Sequence, residues 1–358
     1  MSTTIGGVRE RTTRQAPTKR ELLLIRAEVL EQMGAGVEPS TITVSEWLDR
    51  WMQTAELKAT TRSGYESHIT HSIKPHVGRI RLQKLTSTDV REMILALRTE
   101  PSPKTRGTDH PAPLSAASIR QAHAILRRAL TVAERDRLIT HNPARHIELP
   151  KNRAEPHAIL TREQAMAVID CTADLDERVR IMLALMVGLR QGEALGLRWG
   201  DLDLEAGTLT VREAASRVRG EWVMDEPKSR RSKRTIPLPA ALLDTLRLLR
   251  MGQSEQTYVV GGGETPVMPR ADHSAWKAAC RRAGVPEVPL HGARGTLETM
   301  LIHAGVTITD SAAMLGHDPL TAQRHYAHAT EQSRRALADR IGGLYGAPAI
   351  ETETVKGD

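Results

Sequence analysis

The sequence has no phenylalanine, and aromatic residues make up only 3% of its 358 residues. Its core must therefore be built from Leu, Ile, Val, Met and Ala, which favours helices with small-residue packing over an aromatic-rich β architecture. Only two cysteines are present, Cys171 and Cys280. They are too few for a disulfide framework, and no Cys-x-x-Cys or compact His/Cys cluster indicates zinc. We therefore predict a reducing environment and no metal.

Long hydrophobic runs are also lacking. No stretch approaches the ~20 consecutive apolar residues that a membrane-spanning helix requires. The first residues, MSTTIGGVRERTTRQ, have no apolar segment of the kind found in signal peptides. These features predict a cytoplasmic protein without membrane contact.

Positive charge is concentrated in one part of the chain. The net charge is +7 and the pI about 9.6. Residues 41–150 carry 17 Lys/Arg against 11 Asp/Glu, whereas residues 151–358 carry 27 of each. A basic region of this kind indicates a polyanionic partner. Arginine provides 40 of the 50 basic residues, and its planar fork suits phosphate; codon bias in a GC-rich genome is the alternative source of this excess.

The pattern along the chain predicts a mainly α fold with a small antiparallel β-sheet (α+β). Residues 1–40 are expected to form a flexible basic tail followed by a helix over 18–33, and residues 41–150 a helical DNA-binding domain. A linker over 142–158 leads into a second domain over 151–346. The last residues, 347–358, have the composition of a disordered tail.

Cap residues predict the helices of the first domain. Helices are expected to begin at Ser45, at Thr60 or Thr61, and at Thr86 or Ser87. Ser115 should cap a long helix whose apolar face includes Ile119, Ala122, Leu126 and Ala129. Five basic residues point elsewhere: Arg120, Arg127, Arg128, Arg135 and Arg137. An ordinary solvated face is one interpretation, and the surplus of base over acid favours a DNA-facing surface.

The second domain combines helices with short strands. Thr161 and Gln164 form a capping box, and a helix should follow over about 175–188. Strands are predicted at 208–214, 221–226 and 232–238, with residues 226–239 forming a β-hairpin. From residue 239 onward the pattern is helical again.

Four segments of this domain carry candidate functional residues. VGLRQGEALGLRWGDLD at 187–203 contains Arg190, EPKSRRSKRTIPLP at 226–239 contains Lys228, PLHGARGT at 289–296 contains His291 and Arg294, and MLGHDPLTAQRHYAHAT at 314–330 contains His317 and Tyr326. Each residue alone has a plain structural interpretation, such as a helix end for Arg190 or a core position for Tyr326. The ordered set at these spacings resembles the tyrosine recombinase (phage integrase) family over about 155–345. More weakly, the helical domain resembles that family's core-site-binding domain.

The resemblance implies cleavage and rejoining of DNA through a covalent 3′-phosphotyrosine, with Tyr326 as the nucleophile. Arg190, Arg294 and His317 would hold the non-bridging oxygens of the phosphate, where negative charge develops. Lys228 would deliver a proton to the leaving 5′ oxygen. The scheme requires no cofactor.

Several neighbouring residues have supporting roles in this interpretation. His291 would take the phenol proton or orient the phosphate. Glu193 lies three residues after Arg190, on the same side of a helix, and would orient that arginine or a neighbour. Arg230 and Arg231 are expected to bind DNA, although the run around Lys228 is also typical of a solvated turn. The choice of Lys228 over Lys233 rests on the family pattern.

The sequence departs from the family pattern in two places. The usual His-x-Leu-Arg-His is His291-Gly292-Ala293-Arg294-Gly295 here, so the packing beneath Arg294 must come from elsewhere. Large integrases of the family often begin with a small β domain that binds accessory arm sites, whereas residues 1–40 look too short for it and carry little strand pattern. Arm binding is therefore expected to be reduced to the basic tail and helix, or to be absent.

The implied partners are double-stranded DNA attachment sites and three further copies of the chain, which together form a tetramer in the synapse. Leu337, Ile341 and Leu344 would contact a neighbouring protomer or pack on their own domain. A host DNA-bending protein or a directionality factor is a further implied partner, in a prokaryotic cell where the protein associates with the nucleoid. The alternatives are a type IB topoisomerase, which shares this chemistry, and a catalytically silent DNA-binding protein.

Overall fold

The computed structural model describes residues 2–5, 8–11, 17–21, 23, 40–102, 105–151, 158–226 and 233–316. The chain divides into two compact units, Met1–Ala154 and Glu155–Asp358. Within the described ranges, no helix is both long and apolar enough to cross a membrane.

The first residues form a β-hairpin. Ser2–Ile5 pairs antiparallel with Val8–Arg11, and Ser2 lies opposite Arg11. The prediction of little strand pattern was therefore wrong for these residues of the basic tail. Their threonines, isoleucine and valine have high β propensity, which outweighs the basic composition. Lys19–Glu21 is helical, and most of the helix predicted over 18–33 lies outside the described residues.

The rest of the first unit is helical. Its α-helices are Val44–Thr54, Ala59–His68, Lys74–Val77, Ser87–Thr99 and Ala116–Arg135, joined by a π-helical turn Ile69–Ile73 and a 3₁₀ turn Leu82–Lys84. Two helices begin with full capping boxes, at Thr43 with Glu46 and at Thr86 with Asp89. The prediction of a helix start at Thr86 is confirmed, and the first helix begins one residue before Ser45.

The long helix Ala116–Arg135 buries the apolar face that the sequence predicted. Ile119, Ala122, Leu126 and Ala129 are at most 1% exposed. The side chain of Asn142 donates to the Arg127 carbonyl and to the Thr131 hydroxyl, each at 2.9 Å. The chain after the helix is thereby fixed to it.

The segment predicted as a linker is packed in its first part. Ala144 is fully buried, its carbonyl lies 2.9 Å from Nε2 of the buried His123, and Arg120 donates to the Pro150 carbonyl at 3.2 Å. Residues 142–150 thus belong to the first unit, because these side-chain bonds satisfy a backbone that the prolines exclude from regular structure.

The second unit contains helices and three-stranded and two-stranded sheets. Its α-helices are Arg162–Asp170, Leu175–Met182, Gln191–Leu195, Ala240–Leu249, Pro269–Arg282, Leu290–His303 and Ile308–Leu315, with a π-helical turn Leu183–Val187 and a 3₁₀ turn Trp199–Asp201. The capping box predicted at Thr161 and Gln164 is confirmed. One apolar core, which includes Val168, Leu195, Leu209 and Trp276, joins the helices to the larger sheet.

The strand pairing differs from the predicted hairpin over 226–239. Arg234–Pro237 pairs antiparallel with Thr208–Val211, which also pairs with the short strand Leu202–Asp203. The hairpin lies earlier, where Ala214–Val218 pairs with Glu221–Asp225. Its two-residue turn has positive φ at both Arg219 (51°) and Gly220 (87°). A turn of this kind matches the twist of two paired strands, which explains the local pairing.

Candidate active site

Arg190 is placed by a sharp break between two helices. The π-helical turn Leu183–Val187 ends at Gly188, which has a left-handed φ of 68°. A Cβ at Gly188 would collide with the side chains of Leu315 and Leu297, so only glycine fits. Two residues later, Arg190 is the N-cap of the helix Gln191–Leu195.

The Arg190 guanidinium is held from two sides. Its Nη1 donates to Glu193 Oε1 at 2.6 Å, and its Nη2 donates to the Gly316 carbonyl at 2.7 Å. The backbone N–H of Arg190 also donates to Glu193 Oε2 at 3.0 Å. The sequence-based role of Glu193, the orientation of this arginine, agrees with that geometry. The Arg190 side chain is 37% exposed, so a ligand can reach it.

Arg294 lies in the first half of the helix Leu290–His303 and is only 6% exposed. Its Nη1 donates to the Gly188 carbonyl at 2.6 Å and its Nη2 donates to the Leu315 carbonyl. Burial, followed by the nearby charge of Arg190, lowers the pKa of Arg294 to about 9. Arg294 is therefore still cationic at neutral pH, and the departures at Ala293 and Gly295 leave it fixed by backbone carbonyls.

A third arginine of this cluster, Arg234, was not predicted as a site residue. Its Nη1 and Nη2 donate to the two carboxylate oxygens of Glu193, at 3.2 Å and 3.1 Å, and its Nε donates to the Met314 carbonyl at 2.9 Å. The alternation of the strand contained the signal, since Arg234 and the buried Ile236 share a face.

Glu193 is the acidic group between two of these arginines. It is 4% exposed. Burial alone would raise its pKa, but the hydrogen bonds and charges of Arg234 and Arg190 outweigh this effect, so its pKa lies below the usual value. Glu193 is thus ionised at neutral pH, and the three arginines with this carboxylate leave a net positive charge at the described part of the site.

All three guanidiniums bind the end of one helix. The helix Ile308–Leu315 terminates at Gly316, where φ is 69°. The carbonyls of three consecutive residues accept one bond each: Met314 from Arg234, Leu315 from Arg294 and Gly316 from Arg190. The last carbonyls of a helix lack partners within it and carry partial negative charge. The arginines satisfy them and are fixed in return.

The remaining predicted site residues divide into two groups. His291 is exposed on the first turn of the helix Leu290–His303, three residues before Arg294. Lys228, Arg230, Arg231, His317 and Tyr326 lie outside the described residues, as do Leu337, Ile341 and Leu344. In the sequence His317 directly follows Gly316.

The basic residues of the long helix form two exposed rows on the first unit. Arg120 and Arg127 are seven residues apart, as are Arg128 and Arg135, so each pair lies nearly in line along the helix. Arg128 lies over the Tyr65 ring, 5.9 Å from its centroid, and donates to the Tyr65 hydroxyl at 3.2 Å. Arg135 lies 3.2 Å from Asp136.

Two family models match the chain. Residues 158–333 match the phage integrase family, and residues 43–97 match the phage integrase N-terminal SAM-like domain. The first match contains Arg190, Arg234 and Arg294, and the second contains three of the helices of the first unit.

Known proteins resemble the chain over most of its length. The integrase of Mycobacterium phage L5 is 27% identical over 318 residues, which cover 85% of this chain and 80% of that protein. The fold is that of the Tn1549 transposon integrase in complex with a circular intermediate DNA, with a TM-score of 0.68, 22% identity and coverage of 84% and 99% of the two chains. A lambda integrase dimer bound to a COC′ core site has a TM-score of 0.60 and 16% identity, over 88% and 100% of the two chains.

The two family models and the integrase relatives place the chain among the DNA strand-exchange enzymes of the tyrosine type. The chain belongs to the phage integrase family. It is a tyrosine site-specific DNA recombinase.

Proposed function

We propose that this recombinase integrates and excises a phage or other mobile element through a 3′-phosphotyrosyl intermediate formed by Tyr326. The observation that carries the proposal is the meeting of Arg190 and Arg294, which donate to the adjacent carbonyls of Gly316 and Leu315. Gly316 directly precedes His317 in the sequence. Two of the six proposed catalytic residues therefore bind the segment that leads to a third.

The charge of the cluster suits a phosphodiester under attack. Negative charge grows on the non-bridging oxygens, and preorganised guanidiniums stabilise it with charge-assisted hydrogen bonds. Burial, and then the neighbouring charge of Arg190, lower the pKa of Arg294. An arriving phosphate relieves that repulsion, so this arginine gains more from an anion than one in water would.

The other proposed roles complete the reaction. Tyr326 attacks phosphorus, the bond to the 5′ oxygen breaks, and Lys228 gives that oxygen a proton. His317 adds a contact to the phosphate, and His291 orients the phosphate or takes the phenol proton. Attack by a second 5′ hydroxyl then displaces the tyrosine and rejoins the strand, so that no external energy source is consumed.

The proposed DNA surface of the first unit is the pair of arginine rows on the long helix, and Arg230 and Arg231 would add contacts near Lys228. The recognised DNA is a double-stranded attachment site. Four protomers bind two such sites and form the synapse. A host DNA-bending protein or a directionality factor acts on the same DNA. The protein is then associated with the nucleoid of a prokaryotic cytoplasm. The solved relatives with DNA support the DNA contact and pairing of protomers.

A trapping experiment tests the proposal. Nicked half-sites from candidate attachment regions lose the short 5′ fragment on cleavage, so the covalent intermediate accumulates and runs as a slow band on a denaturing gel. Proteolysis and mass spectrometry of that band should place a 3′-phosphate on the peptide with Tyr326. Adducts on any DNA, without a preferred site, would favour the topoisomerase, whereas binding without an adduct would favour a silent DNA-binding protein.

Replacement of Lys228 with Ala should slow single-turnover cleavage of an ordinary site by about 10²-fold, because a general acid contributes roughly that factor or more. A site with sulfur in place of the leaving 5′ oxygen needs no proton, and the variant should cleave it at nearly the wild-type rate. Lys233→Ala is the matched control. Equal losses on both substrates would remove Lys228 from the acid role.

Replacement of Arg127 with Ala should weaken binding of attachment-site and unrelated DNA to a similar degree. The slope of log Kd against log salt should fall by about one, since one phosphate contact and its counterion release are lost. Gln121→Ala, an exposed neutral position on the same helix, should leave the slope unchanged. An unchanged slope in the Arg127 variant would show that this row does not face DNA.

A further inference from the structure

We propose that Arg234 is a positioning residue for the cleavage step: it fixes Glu193 and the end of the helix Ile308–Leu315, and through them the guanidiniums of Arg190 and Arg294. The inference rests on the proposed function, in which those two arginines hold the phosphate. Arg234 itself would not contact DNA.

The hydrogen bonds of Arg234 connect three distant segments. Its strand, Arg234–Pro237, supplies the side chain, Glu193 lies on the helix Gln191–Leu195, and Met314 lies at the end of the helix Ile308–Leu315. Arg190 binds this Glu193 and the Gly316 carbonyl, and Arg294 binds the Leu315 carbonyl. Among the described residues, Glu193 thus holds one phosphate-binding arginine, and Met314 lies within two residues of the carbonyls that hold both.

The exposure of the arginines separates their roles. The Arg234 side chain is 8% exposed, whereas that of Arg190 is 37% exposed. The Nε, Nη1 and Nη2 atoms of Arg234 all donate within the protein. Such a guanidinium serves as a rigid fork between a carboxylate and a carbonyl.

The segment before His317 also packs directly on Arg234. A Cβ at Gly316 would lie 2.8 Å from Arg234 Nη1 and 2.9 Å from its Cζ. The left-handed Gly316 therefore allows the backbone to approach the guanidinium closely. Removal of the guanidinium would leave a gap beneath this backbone. The buried Glu193 would also lose its two hydrogen bonds from Arg234 and keep only those from Arg190.

The test compares charged and uncharged scissile phosphates. In a methylphosphonate site, a methyl group replaces one non-bridging oxygen, so the phosphorus centre carries no negative charge and depends less on arginines. We expect Arg234→Gln to slow single-turnover cleavage of the ordinary site by about 10²-fold, the cost of a displacement of about 1 Å in a catalytic group. The rate of methylphosphonate cleavage should fall by less than about tenfold, because the neutral phosphorus centre needs less charge stabilisation from the displaced arginines. Arg234→Lys, which keeps the charge and loses the fork, should show an intermediate loss.

A second buried ion pair in the same unit provides the control. Arg180 Nε lies 2.7 Å from Asp272 Oδ1, and these side chains are 8% and 3% exposed, which closely matches Arg234 and Glu193. Arg180→Gln should therefore destabilise the unit to a similar degree. Asp272 also accepts from Gln191 Nε2 at 2.8 Å, but among the described residues neither Arg180 nor Asp272 bonds to a side chain of the arginine cluster or to Glu193. Whatever rate Arg180→Gln loses should therefore be lost by the same factor on both substrates.

The outcomes separate the inference from the proposed function. Positioning would be supported if Arg234→Gln lost more cleavage rate on the ordinary site than on the methylphosphonate site. If Arg234→Gln fails to fold, the same comparison is made with Arg234→Lys. Equal loss on both substrates, or an unchanged rate, would refute it while the wild type still forms its adduct. A wild type that forms no adduct on either substrate would overturn the proposed function and this inference together.

Discussion

Replacement of Tyr326 with Phe is expected to abolish the covalent adduct and to reduce strand cleavage by at least about 10⁴-fold, because loss of a nucleophile removes the reaction path itself. The Phe side chain has the same ring and lacks only the hydroxyl. Affinity for the attachment site should therefore stay within about twofold of the wild type, since phosphate and base contacts supply the binding energy. Single-turnover cleavage and a gel-shift titration at one salt concentration measure the two quantities.

Tyr258 offers a matched control for the loss of a phenol hydroxyl. It is buried in the same unit, and its hydroxyl accepts from Arg198 at 2.9 Å. Tyr258→Phe should keep cleavage and lose some stability. If Tyr326→Phe retained the adduct, another residue would be the nucleophile; if it lost DNA binding as well, the tyrosine would have a structural role.

Replacement of Arg294 with Ala should lower the cleavage rate by about 10³-fold, the upper part of the range for removal of one charge-stabilising donor. The free energy of unfolding should fall by only about 1–3 kcal/mol, because the loss of two carbonyl partners is offset in part by the release of a buried cation. The two carbonyls are those of Gly188 and Leu315. Catalysis should thus suffer far more than stability.

Denaturant unfolding and single-turnover cleavage of the same preparations test this separation. Arg294→Lys should restore little activity, because one ammonium cannot bind both carbonyls and a phosphate oxygen with the geometry of a fork. Arg250→Gln is the control: it removes a partly buried arginine that donates to the Trp199 carbonyl at 3.3 Å. If Arg294→Ala and Arg250→Gln reduced the cleavage rate equally, the effect of the Arg294 replacement would be one of folding.

Local signals in the sequence predicted most of the helices and several strands. The capping box at Thr161 and the apolar face of the helix Ala116–Arg135 depend on residues three or four positions apart, which a linear pattern contains. The approach of Arg190 to Arg294 was expected only from the family resemblance. Glu193 was predictable because it lies one helical turn from Arg190.

The rest depends on contacts that no local pattern contains. Arg234 binds Glu193 across 41 positions and Met314 across 80, and its basic neighbours made it look like part of a solvated run. The prediction of a hairpin over 226–239 was wrong because the tight turn at Arg219 and Gly220 pairs Glu221–Asp225 with Ala214–Val218. Arg234–Pro237 pairs instead with the more distant strand Thr208–Val211. The strands of the first residues were overlooked because the basic composition was given more weight than β propensity.

The helix end that the three arginines share has a consequence for synthesis on the ribosome. Arg190 and Arg234 are translated long before Met314, Leu315 and Gly316, the residues whose carbonyls hold them. A nascent chain can fold its helical first unit early, since domains form as units from the N-terminus. The arginine cluster is completed only when the helix Ile308–Leu315 and Gly316 have emerged. Under the proposed role of the first unit, an unfinished chain would thus bind DNA before it is able to cut it.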